Sequence, residues 1–198
     1  MKFIKRIDFN SPVILSLAAI SLVVLIINSL TGGWLNNLFA VYYTSFLDPK
    51  LYMRLFTHCV THQDMAHYTG NFLLILAVGP MVEEKYGSRN ILIMICISSV
   101  LTGLINVLFF SGTALLGASG IAFMLILLAS FVNIREGKIP MTVILVAVLY
   151  IGNEIVSGLF SKDQISHLSH IIGGLCGTLF GVVLNSKKLN RNNVKAGA

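Results

Sequence analysis

Runs of apolar residues, each bounded by a short polar or basic segment, fill most of this chain from position 12 to position 184. Six of them are long and apolar enough to cross a hydrocarbon core, which needs about 20 helical residues. They are Pro12–Leu30, Met65–Val82, Ile91–Phe110, Ala114–Ile134, Ile139–Phe160 and Ile165–Leu184. Too little chain remains for a separate soluble domain, so the pattern predicts an all-α membrane protein, a six-transmembrane-helix bundle forming one domain over residues 1–198. The first run follows Lys2, Lys5 and Arg6, as the core of a signal peptide would. It is long, however, and no small-residue cleavage pattern follows it, so it is read as a retained span.

The polar segments are short except for Thr31–Gln63, between helices 1 and 2. That segment carries Trp34, Phe39, Tyr42, Tyr43, Phe46, Tyr52 and Phe56 among polar residues, a mixture suited to an outer loop lying in the membrane interface. The tail 187–198 is basic and Asn-rich and is expected to fray. No internal repeat or low-complexity stretch is evident.

Composition agrees with this reading. Hydrophobic residues make up 56% of the chain and charged residues 11%, with a mean hydropathy of +0.83. A soluble surface, usually about 25% charged, cannot be built from that supply. Soluble enzymes, disordered chains and nucleic-acid binders are excluded as classes. The net charge of +6 becomes a topology signal. All but three of the basic residues, Lys50, Arg54 and Lys162, fall before span one, between spans two and three, between four and five, or after six. By the positive-inside rule both termini are cytoplasmic and the even-numbered spans run inward from the outer face. A plasma-membrane location is expected. Cys59, Cys96 and Cys176 form no disulfide framework or metal spacing and read as small apolar fillers.

Polar residues inside spans are costly unless satisfied or used. Three clusters stand out, each at the start of an even-numbered span. Span two carries His67 and Asn71, four apart and so on one helix face. Span four opens with Gly117-Ala118-Ser119-Gly120, and span six with Ser166-His167-Leu168-Ser169-His170. At 1.5 Å rise per residue, His67, Ser119, His170 and Asn71 share a layer roughly 3–9 Å below the outer boundary. Gly173, Gly177 and Gly181 form a small-residue stripe on span six along which span four can approach closely. A serine hydroxyl needs a base to take its proton, and His170 is the candidate base for Ser119. Attack on an amide carbonyl makes an oxyanion, for which His67, Asn71 and the Ser119 backbone N–H are candidate donors. No intramembrane acid is placed to orient His170, so a dyad is expected in place of a triad.

These residues resemble the rhomboid family of intramembrane serine proteases, of the bacterial type with a six-helix core. His67-x-x-x-Asn71 is similar to the family's HxxxN, Gly117-Ala118-Ser119-Gly120 to its GxSG, His170 with Gly173 and Gly177 to its last-span histidine and glycines, and Glu83-Glu84-Lys85-Tyr86-Gly87-Ser88 to its ExxxGS turn. The resemblance implies a compact bundle with an outward-facing cavity above a short fourth helix. It implies Ser119 as nucleophile, His170 as general base, and His67 and Asn71 as oxyanion donors. It implies as partners the lipid bilayer and single-span membrane-protein substrates, cleaved in or near their transmembrane segments, with no cofactor, metal or nucleic acid. Movement of span five and the loop 160–165 would admit substrate. Three positions depart from the family pattern: Met53-Arg54 stands where Trp-Arg is usual, Phe123 where Tyr is common, and Ser169 where Ala is.

Other readings compete at single residues. A serine in a membrane helix usually bonds its own backbone, and His67 and Asn71 also fit a structural pair. His58 and His62 are spaced to share a helical face, which raises a metal site, but no third ligand type is evident. Glu83 is expected to fix the turn after span two with Lys85 or Arg89, and Glu154 to sit hydrated at the outer end of span five. For the whole chain the alternatives are a non-proteolytic rhomboid-like protein that binds membrane helices, or a small transporter. The transporter reading lacks a polar path to the cytoplasm and paired broken helices.

Overall fold

The computed structural model describes residues 9–110, 112–132 and 164–196, with six further positions between 141 and 152; side chains of the last segment are described from His167 to Asn185. The described structure is helical, with one isolated antiparallel bridge between Val41 and Leu115. Helix α1 spans Pro12–Leu30, α2 Trp34–Phe39, α3 Pro49–Thr57, α4 Met65–Tyr86, α5 Ser88–Phe109, α6 Ser119–Ser130 and α7 Gln164–Ala196. A 3₁₀ turn, His58–Val60, follows α3.

Among the described residues, four stretches are long and apolar enough to cross a membrane: α1, α4, α5 and His167–Asn185 of α7. Their outward faces are apolar, as with Ile20 and Val23 on α1, Leu73 on α4, Leu92 on α5 and Leu179 on α7, all exposed. That is the surface of a protein whose solvent is hydrocarbon. Helix α6 is different. Only 12 residues long, it covers roughly 18 Å of a core about 30 Å thick, and Gly120–Leu128 are all buried. The sequence predicted a span over Ala114–Ile134; the structure replaces its first five residues with extended chain. That chain is paired through Leu115 N–H to Val41 O (2.9 Å) and Val41 N–H to Leu115 O (3.0 Å). Asn106 Nδ2 donates to Val41 O and Thr113 O, each at 3.2 Å. Non-helical backbone is tolerated at this depth because protein groups satisfy it.

The first connection folds onto the bundle. Buried Arg54 donates to the carbonyls of Leu38 (3.2 Å) and Asn37 (3.4 Å) and to Tyr42 Oη (2.6 Å), and it lies over the Tyr42 ring at 4.0 Å. This clamp forms with Met53, 36% exposed, as the preceding residue. Trp34, Tyr43, Phe46, Tyr52 and Phe56 project outward.

At the opposite end, Glu83 does not pair with Lys85 or Arg89. Its carboxylate is buried and accepts from the N–H groups of Val13 (3.0 Å) and Ile14 (2.9 Å). The reason lies in α1, whose N-cap Ser11 makes no side-chain capping bond. The orphan first-turn donors, at the positive end of the helix dipole, draw the carboxylate instead.

Helices α6 and α7 pair more extensively than any other two described elements. A methyl group added at Gly173 would strike the Gly120 carbonyl, at Gly177 the Met124 carbonyl, and at Gly181 the Phe131 ring. The register 120 to 173, 124 to 177 and 131 to 181 makes the two helices parallel, in near backbone contact. Helix α7 continues to Ala196 where a frayed tail was expected from 187. The expected span Ile139–Phe160 falls outside the described residues except at six positions, all helical. Glu154, Lys162 and the loop 160–165 also lie outside them up to Gln164.

Candidate active site

Ser119 is the first residue of α6, and the two residues before it are held from two sides. Gly117 N–H donates to the His58 carbonyl at 2.9 Å, and Ala118 N–H donates to His62 Nε2 at 3.3 Å. Gly117 has φ +114, a conformation that side-chain-bearing residues rarely adopt. A Cβ there would lie 2.7 Å from His67 Cε1 and Nε2 and 3.5 Å from Asn71 Nδ2. The missing side chain thus brings the His67 ring and the Asn71 amide against the strand that leads into Ser119.

Helix α4 positions these two groups. Its N-cap Asp64 accepts from His67 N–H at 2.8 Å, which starts the helix so that His67 and Asn71 fall on the face toward Gly117. Asn71 is buried, and its Nδ2 has no hydrogen-bond partner among the described residues. A buried amide donor costs free energy unless something accepts from it.

Helix α7 completes the cluster. A Cβ at Gly120 would lie 3.4 Å from the Ser169 carbonyl, so the residue before His170 abuts the residue after Ser119. The His170 ring stacks on Phe123, with centroids 4.3 Å apart and planes 6° from parallel. Phe123 is one turn beyond Ser119 on α6. His167 meets His170 edge-on at 6.4 Å. A cavity of about 10 Å³ beside Ser119 is lined by Gly117, Gly120, His58, Thr102 and Ser169 among others; that is room for about one water molecule.

His67 and Asn71 therefore lie against the chain that leads into Ser119, and His170 lies against Phe123 one turn beyond it. His58 and His62 do not share a helical face: His58 is in the 3₁₀ turn and His62 in the extended chain after it. Their rings do different work. His58 Nδ1 lies 3.1 Å from the Arg54 carbonyl and its Nε2 3.3 Å from Thr102 Oγ1. Desolvation lowers its pKa to about 4. The fully buried His62 ring packs edge-on against His67 and Tyr68, and burial, with a smaller contribution from His67, lowers its pKa to about 4. Neutral His62 is what the contact requires, because only an unprotonated Nε2 accepts from Ala118 N–H. Sequence reasoning left His62 without this role. The available signal was a further histidine in a loop that must fold against the bundle, but no spacing rule links position 62 to position 118.

The fold and site define an integral membrane protein in which a short buried helix begins at a serine, with two histidines and an asparagine packed around its first turn and the chain leading into it. A family model described as the Rhomboid domain matches residues 49–187, and the chain belongs to that family. Rhomboid protease GlpG of Haemophilus influenzae is 24% identical over 148 residues, covering 72% of this chain and 73% of that protein. Rhomboid protease GluP of Bacillus subtilis is 28% identical over 171 residues, covering 82% of this chain but 32% of that longer protein. Family membership supports an intramembrane peptidase.

Proposed function

We propose that the protein is an intramembrane serine endopeptidase of six transmembrane helices that cleaves single-span membrane proteins in or near their transmembrane segments. The observation that carries this reading is the arrangement at Gly117, where a bare backbone lets His67 and an Asn71 amide with no partner among the described residues crowd the chain entering Ser119.

In this reaction His170 takes the Ser119 hydroxyl proton as Oγ attacks the scissile carbonyl carbon. The carbonyl oxygen becomes an oxyanion, held by donors from His67, Asn71 and the Ser119 backbone N–H. The position of Ser119 at the start of α6 favours that charge, since first-turn N–H groups lack intrahelical partners and the helix dipole is positive there. Collapse of the intermediate breaks the C–N bond, and His170 gives its proton to the leaving amine. Water then attacks the ester with His170 again as base, releasing the acid and restoring Ser119. Stacking on Phe123 fixes the His170 ring plane without using either ring nitrogen. The 11-to-3 basic bias supports cytoplasmic termini and a site near the outer face of the plasma membrane.

The test is cleavage of a model transmembrane substrate in liposomes. Wild type cleaves and Ser119→Ala does not; a fluorophosphonate labels Ser119 and loses its target in His170→Ala. Undiminished cleavage by Ser119→Ala refutes the assignment. A folded wild type that binds substrate without cutting it favours the helix-binding alternative.

A further inference from the structure

At the end of the bundle opposite Ser119, α1 and α5 start side by side and leave an apolar groove of about 350 Å³ between them. Buried Leu17 and Ile95 form its floor, half-exposed Ile20 and Leu92 its walls, and Pro12 its mouth. Its volume is that of a small-ligand pocket, and the Ser16 hydroxyl is its one polar lining side chain. One cation lies a turn away from its lining. Arg89 is exposed three residues before Leu92, hence on the same face of α5 and about 4.5 Å nearer the membrane boundary. Of the acids on the α4 end, Glu84 is exposed, while Glu83 is committed to the α1 N–H groups.

We propose that this groove is a binding site for an anionic phospholipid, one acyl chain lying between α1 and α5 and the headgroup phosphate resting against Arg89. A thin, flexible chain suits the space; a partner helix, roughly 10 Å across, does not fit between two helices already in contact. Any lipid tail enters such a groove, and the Arg89 charge one turn nearer the boundary selects the anionic one. The bound lipid ties α1 to α5, a pair with little direct contact.

The test uses full-length protein with Trp34→Phe, which removes the single native tryptophan, and Ile20→Trp as a reporter on the groove wall. The protein is reconstituted in phosphatidylcholine with a minor fraction of mid-chain-brominated phosphatidylglycerol or, for comparison, brominated phosphatidylcholine. Brominated phosphatidylglycerol is expected to quench the reporter indole more strongly at equal fraction. Arg89→Gln should lower its relative affinity about five-fold, Ser16→Leu should abolish the excess by filling the groove, and soluble glycerol phosphate should not compete. Equal quenching by the two lipids overturns the proposal, as does an excess that survives Ser16→Leu. Loss of the excess to glycerol phosphate also overturns it, since free phosphate at the basic end is then the ligand. Arg89→Gln changes an exposed residue and carries the test by itself if Ser16→Leu does not fold.

Discussion

Glu83→Ala is the substitution whose effect depends most on the tertiary structure. The carboxylate is 1% exposed and accepts from two α1 backbone N–H groups at 3.0 and 2.9 Å. Hydrogen bonds to a charged group contribute about 1.5–3 kcal/mol each, and a donor left buried without an acceptor adds its desolvation cost. The two share one carboxylate and are not fully additive, so the expected loss is about 3–5 kcal/mol, with a melting temperature lower by on the order of 10 °C. Glu83→Gln keeps an acceptor oxygen for one N–H and removes the charge that the helix N-terminus favours; about 2 kcal/mol is expected. The controls are sharp. Ser11→Ala should be nearly neutral, because the Ser11 hydroxyl is buried without a partner among the described residues. Lys85→Ala and Arg89→Ala should each change stability by less than about 1 kcal/mol, as exposed charges do. The measurement is SDS-titrated or thermal unfolding in mild detergent, followed by circular dichroism. If Glu83→Gln unfolds with wild type, or if Lys85→Ala matches Glu83→Ala, the capping account is refuted and the ion-pair reading regains its place.

Gly177→Ala puts a methyl group into the Met124 carbonyl; neither backbone yields easily, so a loss of about 3 kcal/mol or more is expected, together with weaker fluorophosphonate labelling of Ser119 as α6 and α7 separate. Labelling and stability equal to wild type would contradict the close-contact register. For pH, His58 and His62 have folded pKa values near 4 against 6.5 when exposed. Their contribution is fully present above pH 6.5 and is lost as pH falls from 6.5 to 4, because the unfolded chain takes up protons first; each histidine accounts for about 3 kcal/mol. Unfolding midpoints measured across that window should show a drop that His62→Leu reduces by about one proton's worth, and an unchanged slope in that variant would count against a neutral, buried His62.

Much of this protein was legible along the chain because a bilayer leaves few options. Backbone groups in hydrocarbon must be satisfied within a helix or a closed barrel, so apolar runs at 12–30, 65–82, 91–110 and 165–184 announced helices that the structure contains. Against so apolar a background, Ser119, His170, His67 and Asn71 were conspicuous; the packed structure sets His67 and Asn71 against Gly117 and His170 against Phe123. Helical spacing alone put His67 and Asn71 on one face.

What the chain did not disclose depends on contacts distant in sequence. A run such as Ala114–Ile134 reads as a spanning helix on hydropathy; Val41 and Asn106 convert its first residues to extended chain by offering backbone partners 74 and seven residues away from Leu115 and Thr113. That shortening places Ser119 at a helix N-terminus. Likewise Glu83 seemed destined for the nearest cations, and only the docking of α1 on α4 supplied better-placed donors 70 residues away. Local pattern determines which segments are helical, because hydrogen bonding and hydropathy act within a few turns. Which buried polar group meets which partner is decided by packing, since that cost is settled only when the helices assemble.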